Sequence, residues 1–229
     1  MNTLAFIARR KLEQVVSKYR APAFRRAAER YLQDEDVPIP EGREDEWAPI
    51  RHDLYHLHRT VSERKPDCIL EFGVGFSTVV LSHALMKNGR GRLFTVDTSE
   101  KWLKNTAEKL PDDAPVELIH STASIKEIDG EVCHTFDALP DVMPNLVYLD
   151  GPYGRDVQGS VNGISFRGSP RRPVVSADML LLESTLPAHF MLIIDGRDAN
   201  HGFLRRNLKR HYKIRRHPAL KFSTFELVG

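Results

Sequence analysis

The chain has 229 residues, of which 41% are hydrophobic and 28% are charged, and its formal net charge is +2. This composition is ordinary for a globular protein, and the net charge is too small to indicate nucleic-acid binding by itself. Only Cys68 and Cys133 are present, which argues against a disulfide framework and favours the cytoplasm, and no apolar run approaches the roughly 18 residues of a membrane span.

The first 45 residues are predicted to form a helical extension and a linker, and residues 46–229 a single domain. Apolar residues at helical spacing predict two helices in residues 3–33, broken near Pro22 because proline cannot continue a helix. We expect these helices to cap the domain or to form a homodimer contact. Their basic residues, like those near the C-terminus, fit either solvated faces or a patch for an anionic substrate or a membrane surface.

From Asp67 onward, short apolar runs alternate with segments of helical periodicity. Strands are predicted at residues 68–72, 92–97, 116–119, 145–150 and 190–195, with a terminal strand pair at 212–216 and 222–228. Helices are predicted at residues 47–61, 76–86, 99–110, 174–186 and 200–210. This alternation predicts an α/β fold with a mostly parallel sheet and helices on both faces. Ligands of such sheets bind outside the carboxyl ends of the strands, where Asp97, Asp150 and Asp195 lie.

Residues 71–77 read Glu-Phe-Gly-Val-Gly-Phe-Ser and join the first predicted strand to a helix. Glycines allow a tight turn and close approach of a ligand, and the N–H groups at the helix start can face polar ligand groups. Asp97 ends the next strand, where a carboxylate can accept hydrogen bonds from both ribose hydroxyls of a nucleoside. The purely structural alternatives are a glycine turn that binds no ligand, and an aspartate that caps the helix beginning at Ser99.

Three motifs resemble class I S-adenosylmethionine (SAM)-dependent methyltransferases: Glu-Phe-Gly-Val-Gly-Phe-Ser-Thr at 71–78, Val-Asp at 96–97 and Tyr-Leu-Asp-Gly-Pro at 148–152. The resemblance covers about residues 47–229 and implies a Rossmann-like domain with a seven-stranded, mostly parallel sheet. It implies that SAM lies along the cofactor-binding residues Glu71, Gly73, Gly75, Ser77, Asp97, Ser121, Thr122 and Ala123. Many members have a third glycine where this chain has Ser77. An NAD-dependent dehydrogenase is disfavoured because its fingerprint also requires a glycine there.

Asp150 and Asp195 end two central strands and can converge beside the cofactor. Metal-dependent O-methyltransferases of the catechol and macrolide-sugar types resemble this arrangement, which implies Mg²⁺ or another divalent cation bound by both carboxylates. The chain departs from that pattern at Gly196, so Asp198 or Asn200 would have to supply the next ligand. Alternatively, Asp150 orders a loop and Asp195 caps the last helix.

The connection at residues 151–173 is long for a compact domain and carries several arginines, so it is either a lid over the acceptor or a solvated insert. The catalytic candidates are Asp150, Tyr153 and His201, the last two as proton acceptors. His120 is a further histidine of the same kind.

Together these motifs predict methyl transfer from SAM to the oxygen of a small hydroxylated acceptor, either a sugar or an anionic metabolite. Nucleic-acid N-methylation is a weaker alternative, because residues 150–153 read Asp-Gly-Pro-Tyr and lack the first proline of the Asn/Asp-Pro-Pro-Tyr/Phe motif of such enzymes. A catalytically silent SAM-binding protein is the alternative from another class.

Overall fold

The apolar runs of the sequence form strands, and the segments of helical periodicity form the helices that flank them. The computed structural model describes residues 24, 26–39, 51–168, 172–217 and 222–228. The strands are β1 (Cys68–Phe72), β2 (Arg92–Asp97), β3 (Val116–His120), β4 (Ala123–Ile128), β5 (Glu131–Phe136), β6 (Leu146–Leu149), β7 (Val157–Gln158), β8 (Met191–Ile194), β9 (Tyr212–His217) and β10 (Phe222–Leu227). The helices are α1 (26–34), α2 (Arg51–Arg64), α3 (Phe76–Asn88), α4 (Glu100–Ala107), α5 (Asp178–Leu182) and α6 (Asp198–Asn207), and 3₁₀ turns cover Phe166–Gly168 and Glu183–Thr185.

The main sheet has seven strands in the order β3-β2-β1-β6-β8-β10-β9. β10 runs in the opposite direction to the other six strands of this sheet, so the mostly parallel sheet that the sequence predicts is confirmed. The strand order reverses between β1 and β6, because the chain adds β2 and β3 on one side and returns to the other. Ligands of open α/β sheets bind at such a switch point, outside the carboxyl ends of the strands.

The strand register brings the predicted acidic residues to one edge of the sheet. Glu71 on β1 pairs with Thr95 on β2 and with Tyr148 on β6. Leu149 on β6 pairs with Ile194 on β8, so the residues that follow them, Asp150 and Asp195, lie at neighbouring strand ends. The predicted adjacency of these two carboxylates is therefore confirmed.

Successive residues of the central strands pack on opposite faces of the sheet, as the period of two in a strand requires. Ile69 belongs to a cluster with Leu57 of α2 and Leu81 of α3. Leu70 belongs to a second cluster on the other face, which includes Phe203 of α6 and Phe136 of β5. The sheet is thus covered by helices on one face and by helices plus a second small sheet on the other. No helix among the described residues is long and apolar enough to cross a bilayer.

The second sheet, in the order β5-β4-β7, was not predicted from the sequence. β4 and β5 form a hairpin whose turn residues, Asp129 and Gly130, both have positive φ (50° and 77°), as a type I′ turn requires. The ring of Phe136 stacks on that of Phe72 at 5.6 Å, which fixes the hairpin against the end of β1. β7 pairs with β4 and Phe166 is buried, so the described part of the 151–173 connection is docked and is not a solvated insert.

The predicted helix at 174–186 is wrong over its first turn, because α5 begins only at Asp178. The preceding residues are extended, since the backbone of Val175 accepts a hydrogen bond from His134 on β5. Ser176 N also donates to the side-chain oxygen of Asn200 at 2.9 Å. Bonds to neighbouring elements have replaced the helical bonds that this apolar segment would otherwise form.

The described part of the N-terminal extension, residues 26–39, packs directly on the domain. Ala28 and Leu32 of α1 are buried in one cluster with Leu54 of α2 and Val80 of α3. The first predicted helix and the predicted domain boundary at residues 45 and 46 lie outside the described residues.

Candidate active site

Gly73 sits where the loop after β1 meets the loop after β6. Its φ of +101° lies in the region that favours glycine, and a Cβ there would lie 3.1 Å from Gly151 O and 3.4 Å from the Cβ of Asp150. The absence of a side chain therefore lets the two loops touch. The sequence predicted that a ligand closely approaches the backbone at the glycines of this loop. At Gly73 the close contact is instead with the protein's own backbone at Gly151.

Gly75 occupies a different environment one turn later. It precedes α3 with an extended φ of 171°, and no described atom lies within 4 Å of a Cβ built on it. Its N–H donates to Thr78 Oγ1 at 3.0 Å, and Ser77 is buried in the first turn of the helix. Open space at a helix N-terminus that carries polar N–H groups can accommodate a ligand.

Glu71 is fully buried beneath this loop. Its Oε2 accepts hydrogen bonds from Thr78 Oγ1 at 2.6 Å and Thr95 Oγ1 at 2.8 Å, while Oε1 has no hydrogen-bond partner among the described residues. Burial raises the pKa of the carboxyl group to about 7, against the opposing effect of the hydroxyl donors. A buried oxygen of this kind requires a donor, and an ammonium group from a ligand would supply one.

Asp97 connects the glycine loop to the start of α4. Its Oδ2 accepts from Val74 N at 2.9 Å and its Oδ1 from Ser99 N at 2.7 Å. Burial raises the pKa of Asp97, and these backbone N–H groups oppose the rise. Each carboxylate oxygen can accept a further hydrogen bond. Ser99 itself caps α4, because its Oγ accepts from Trp102 N at 3.3 Å, so the helix-capping role is not that of Asp97.

The three residues assigned to the adenine lie beside Asp97. Ser121 N donates to Asp97 O at 3.0 Å, and Ala123 is buried at the start of β4. Thr122 Oγ1 donates to Asp137 Oδ2 at 2.6 Å. Asp137 was missed from the sequence because it follows β5, and the hairpin that returns it to this edge was not predicted.

The β6–β8 end of the crevice contains an ion pair. Arg197 Nη2 lies 2.9 Å from Asp150 Oδ1, and the same guanidinium donates to Pro152 O at 3.1 Å and to Gly151 O at 3.4 Å. Burial raises the pKa of Asp150 to about 6, Arg197 lowers it, and the charge of Asp195 raises it. Arg197 was also missed, although a basic residue two positions after a strand-end acid was visible in the sequence.

The residues do not fit the divalent-cation site that was expected at Asp150 and Asp195. Asp150 is already paired with a guanidinium, and the two substitute ligands are engaged elsewhere. Asp198 forms an ion pair with Arg216. Asn200 Oδ1 accepts a hydrogen bond from the backbone N–H of Ser176. Within the described part of the chain, no three His, Cys, Asp or Glu side chains are grouped to hold a metal ion.

The remaining catalytic candidates are separated. Tyr153 is 44% exposed on the connection after Asp150, with the guanidinium of Arg155 5.6 Å from its ring centroid. His201 packs edge-on against Phe225 of β10 at 5.4 Å, and burial lowers its pKa. His201 makes no contact with Asp150 among the described residues, and its catalytic role stays a prediction.

His120 is likewise remote from the β6–β8 end. His120 is the last residue of β3 and pairs with Asp97 at the end of β2, and its Nε2 lies 3.1 Å from Thr98 O. β3 is three strands away from β6 in the sheet, so the structure does not bring His120 beside Asp150.

The fold is similar to that of solved methyltransferases. The O-methyltransferase TomG from Streptomyces achromogenes, which is involved in tomaymycin synthesis and was solved with SAM, matches with a TM-score of 0.51 over 90% of each chain at 15% identity. The methyltransferase PaMTH1 from Podospora anserina, solved with S-adenosylhomocysteine (SAH), matches with a TM-score of 0.50 at 12% identity, over 89% of this chain and 88% of that chain. No protein-family model and no curated protein matches the sequence. At these identities the likeness establishes the Rossmann-like methyltransferase fold.

Proposed function

We propose that this protein is a SAM-dependent methyltransferase that methylates an oxygen of a small hydroxylated acceptor. The observation that carries the proposal is the open space at Gly75, in the loop that follows β1 beside the topological switch point and close to the buried acids Glu71 and Asp97. SAM supplies an electrophilic methyl group, so that transfer converts an acceptor O–H into O–CH₃ and releases one proton and SAH.

The cofactor end supplies a donor or an acceptor for each part of SAM. Glu71 Oε1, which lacks a partner among the described residues, accepts from the ammonium group. The backbone at Gly75 faces the methionine portion, and Asp97 accepts from the ribose hydroxyls. Ser121 and its neighbours Thr122 and Ala123 contact the adenine. The assignments of Glu71 and Asp97 use hydrogen-bonding capacity that the described residues leave available.

The acceptor end favours an oxygen acceptor over an amino acceptor. The guanidinium of Arg197 is a fixed positive charge beside Asp150, and such a charge stabilises an acceptor oxygen as its proton leaves. It would repel an amino group that acquires positive charge during methylation. Gly151, in place of the first proline of the nucleic-acid motif, has a φ of +79° that proline cannot adopt.

The cytoplasm is the compartment we propose for this activity. Cys68 and Cys133 are both free thiols, and burial raises the pKa of Cys133 to about 11. Buried, protonated thiols of this kind are typical of proteins that remain in a reducing environment.

Isothermal titration calorimetry of the full chain with SAM, SAH and NAD⁺ tests the proposal. We expect one equivalent of SAM and of SAH to bind and NAD⁺ to give no heat of binding. A panel of small carboxylated phenols, hydroxy acids and sugars, followed by SAH release, then identifies the acceptor class. Binding of NAD⁺ with no binding of SAM or SAH would overturn the proposal.

A further inference from the structure

The geometry points to Arg197 as the resident cation of the acceptor site: its guanidinium takes the place of a divalent metal beside Asp150, excludes such a metal, and binds an anionic oxygen of the acceptor. The role toward the acceptor rests on the proposed function, whereas the exclusion of a metal does not. No sequence motif had assigned this positively charged side chain to the site.

The site requires a positive charge for a simple electrostatic reason. Asp150 and Asp195 follow paired residues of adjacent parallel strands, which lie about 4.8 Å apart. Two carboxylates in such positions repel each other unless a cation or a proton intervenes. Arg197 is in the same chain segment as Asp195, and its N–H donates to Asp195 O at 2.5 Å. This turn directs the guanidinium back toward Asp150.

The guanidinium is held more firmly than that of a surface arginine. It bonds the carboxylate of Asp150 and the carbonyl oxygens of Gly151 and Pro152, so three consecutive residues fix its plane. Arginine has five N–H donors, and Nε–H together with one Nη1–H has no partner among the described residues. The side chain is 32% exposed, which leaves those donors accessible to an acceptor.

A metal ion at the same place would lack ligands. Asp198 and Asn200 are engaged with Arg216 and Ser176, and Gly196 offers no side chain. Mg²⁺ would have to displace a guanidinium from its ion pair and retain most of its waters. The arginine therefore serves as the cation without the need for a second species.

Two substitutions, one that removes the positive charge and one that keeps it, separate this role from a structural one. Arg197→Gln retains a long side chain with an amide that can donate to the Gly151 and Pro152 carbonyls, but it removes the positive charge. Arg197→Lys retains the charge and loses the planar fork. Binding of Mn²⁺ to the full chain is measured from the electron paramagnetic resonance signal of the free ion, which needs neither acceptor nor turnover.

We expect the wild-type chain and Arg197→Lys to bind Mn²⁺ weakly, and Arg197→Gln to bind it at least about tenfold more tightly because Asp150 and Asp195 are then uncompensated. Adding Asp150→Asn to Arg197→Gln should remove the gain. Submillimolar Mn²⁺ binding to the wild-type chain that Asp150→Asn abolishes would overturn the inference, as would equal affinities of the Gln and Lys variants. Circular dichroism of each variant reports on folding, and SAH calorimetry on the wild-type chain tests the proposed function separately from Mn²⁺ binding.

Discussion

The two ends of the crevice hold their carboxylates in different ways. At the β1–β2 end, Glu71 and Asp97 accept hydrogen bonds from threonine hydroxyls and from backbone N–H groups, none of which carries a net charge. At the β6–β8 end, Asp150 is paired with the guanidinium of Arg197. No cationic side chain among the described residues is paired with the carboxylates of the first end, whereas Asp150 at the second end is compensated.

This difference assigns the two halves of a transfer reaction to two electrostatic environments. Neutral donors orient a carboxylate and leave its charge for a cationic ligand, which suits the ammonium and sulfonium groups of SAM. A guanidinium cancels the charge of its partner and can bind an anionic oxygen. Burial raises the pKa of Glu71 to about 7 and that of Asp150 to about 6, so it acts at both ends. The electrostatic difference between the ends therefore comes from the charge of the group that bonds each carboxylate.

The largest effect that we expect is structural and arises where the two ends touch. Gly73→Ala should lower the free energy of unfolding by roughly 2–4 kcal/mol, because alanine is strained at positive φ and its Cβ meets the backbone of Gly151. Urea denaturation measures the loss. Gly75→Ala is the matched control and should cost less than about 1 kcal/mol, since that position is extended and open. Equal losses at both glycines would contradict the loop contact.

The second prediction separates the ends by cofactor affinity. Asp97→Asn should weaken SAM binding by roughly 1.5–3 kcal/mol, because a charge-assisted acceptor for the ribose is lost. Asp195→Asn, at the other end, should change SAM affinity by less than about twofold because it removes no cofactor contact. Calorimetry on both variants makes the comparison, and a larger effect at Asp195 would reverse our assignment of the two ends.

The third prediction concerns the open space at the start of α3. Gly75→Val should reduce SAM affinity at least about tenfold, because the branched side chain fills the space that we assign to the methionine portion. The circular dichroism spectrum and urea midpoint should stay close to those of the wild type. A folded Gly75→Val variant that binds SAM normally would place the cofactor elsewhere.

The smallest effect is a dependence of cofactor affinity on pH. A cationic ligand prefers ionised Glu71, so SAM affinity should rise as the pH increases from 6 to 8 through the raised pKa of about 7, by roughly threefold to tenfold. Glu71→Gln should abolish the rise. Asp150→Asn should preserve it, although the pKa of Asp150 is also raised, because that carboxyl lies at the acceptor end. If the rise disappeared in the Asp150 variant instead, the assignment of the cofactor to the Glu71 end and of the acceptor to the Asp150 end would be contradicted.

The strand-end acids could be found from the sequence because two local rules are sufficient to place them. A short apolar run that ends in Asp or Glu defines a strand end, and the alternation with helices makes the strands parallel. Glu71, Asp97 and Asp150 then share an edge without any knowledge of tertiary contacts. The same rules do not show what each carboxylate bonds, so an acid pair is compatible with either a metal ion or a guanidinium.

The hairpin β4–β5 and the role of Arg197 could not be predicted from the sequence, because both depend on tertiary contacts. Asp129-Gly130 is a recognisable type I′ turn, but the flanking strands contain charged residues, and a helix was the usual expectation for a crossover. Arg197 is placed by the backbone turn after β8, which depends on the hydrogen bond that Arg197 N donates to Asp195 O. The shortened helix α5 has the same origin, since its first turn is replaced by bonds to β5 and α6.

The central position of β1 has a consequence for the time course of synthesis. Asn145 Oδ1 accepts from Cys68 N at 3.0 Å and joins the start of β1 to β6, yet 77 residues separate the two. At ribosomal rates of about 5–20 residues per second, β1 waits roughly 4–15 seconds for this neighbour. During that interval an apolar strand with one unpaired edge is exposed to other chains. Slower initiation at low temperature, or a chaperone that covers this edge, should therefore raise the yield of soluble protein more than any change at the crevice.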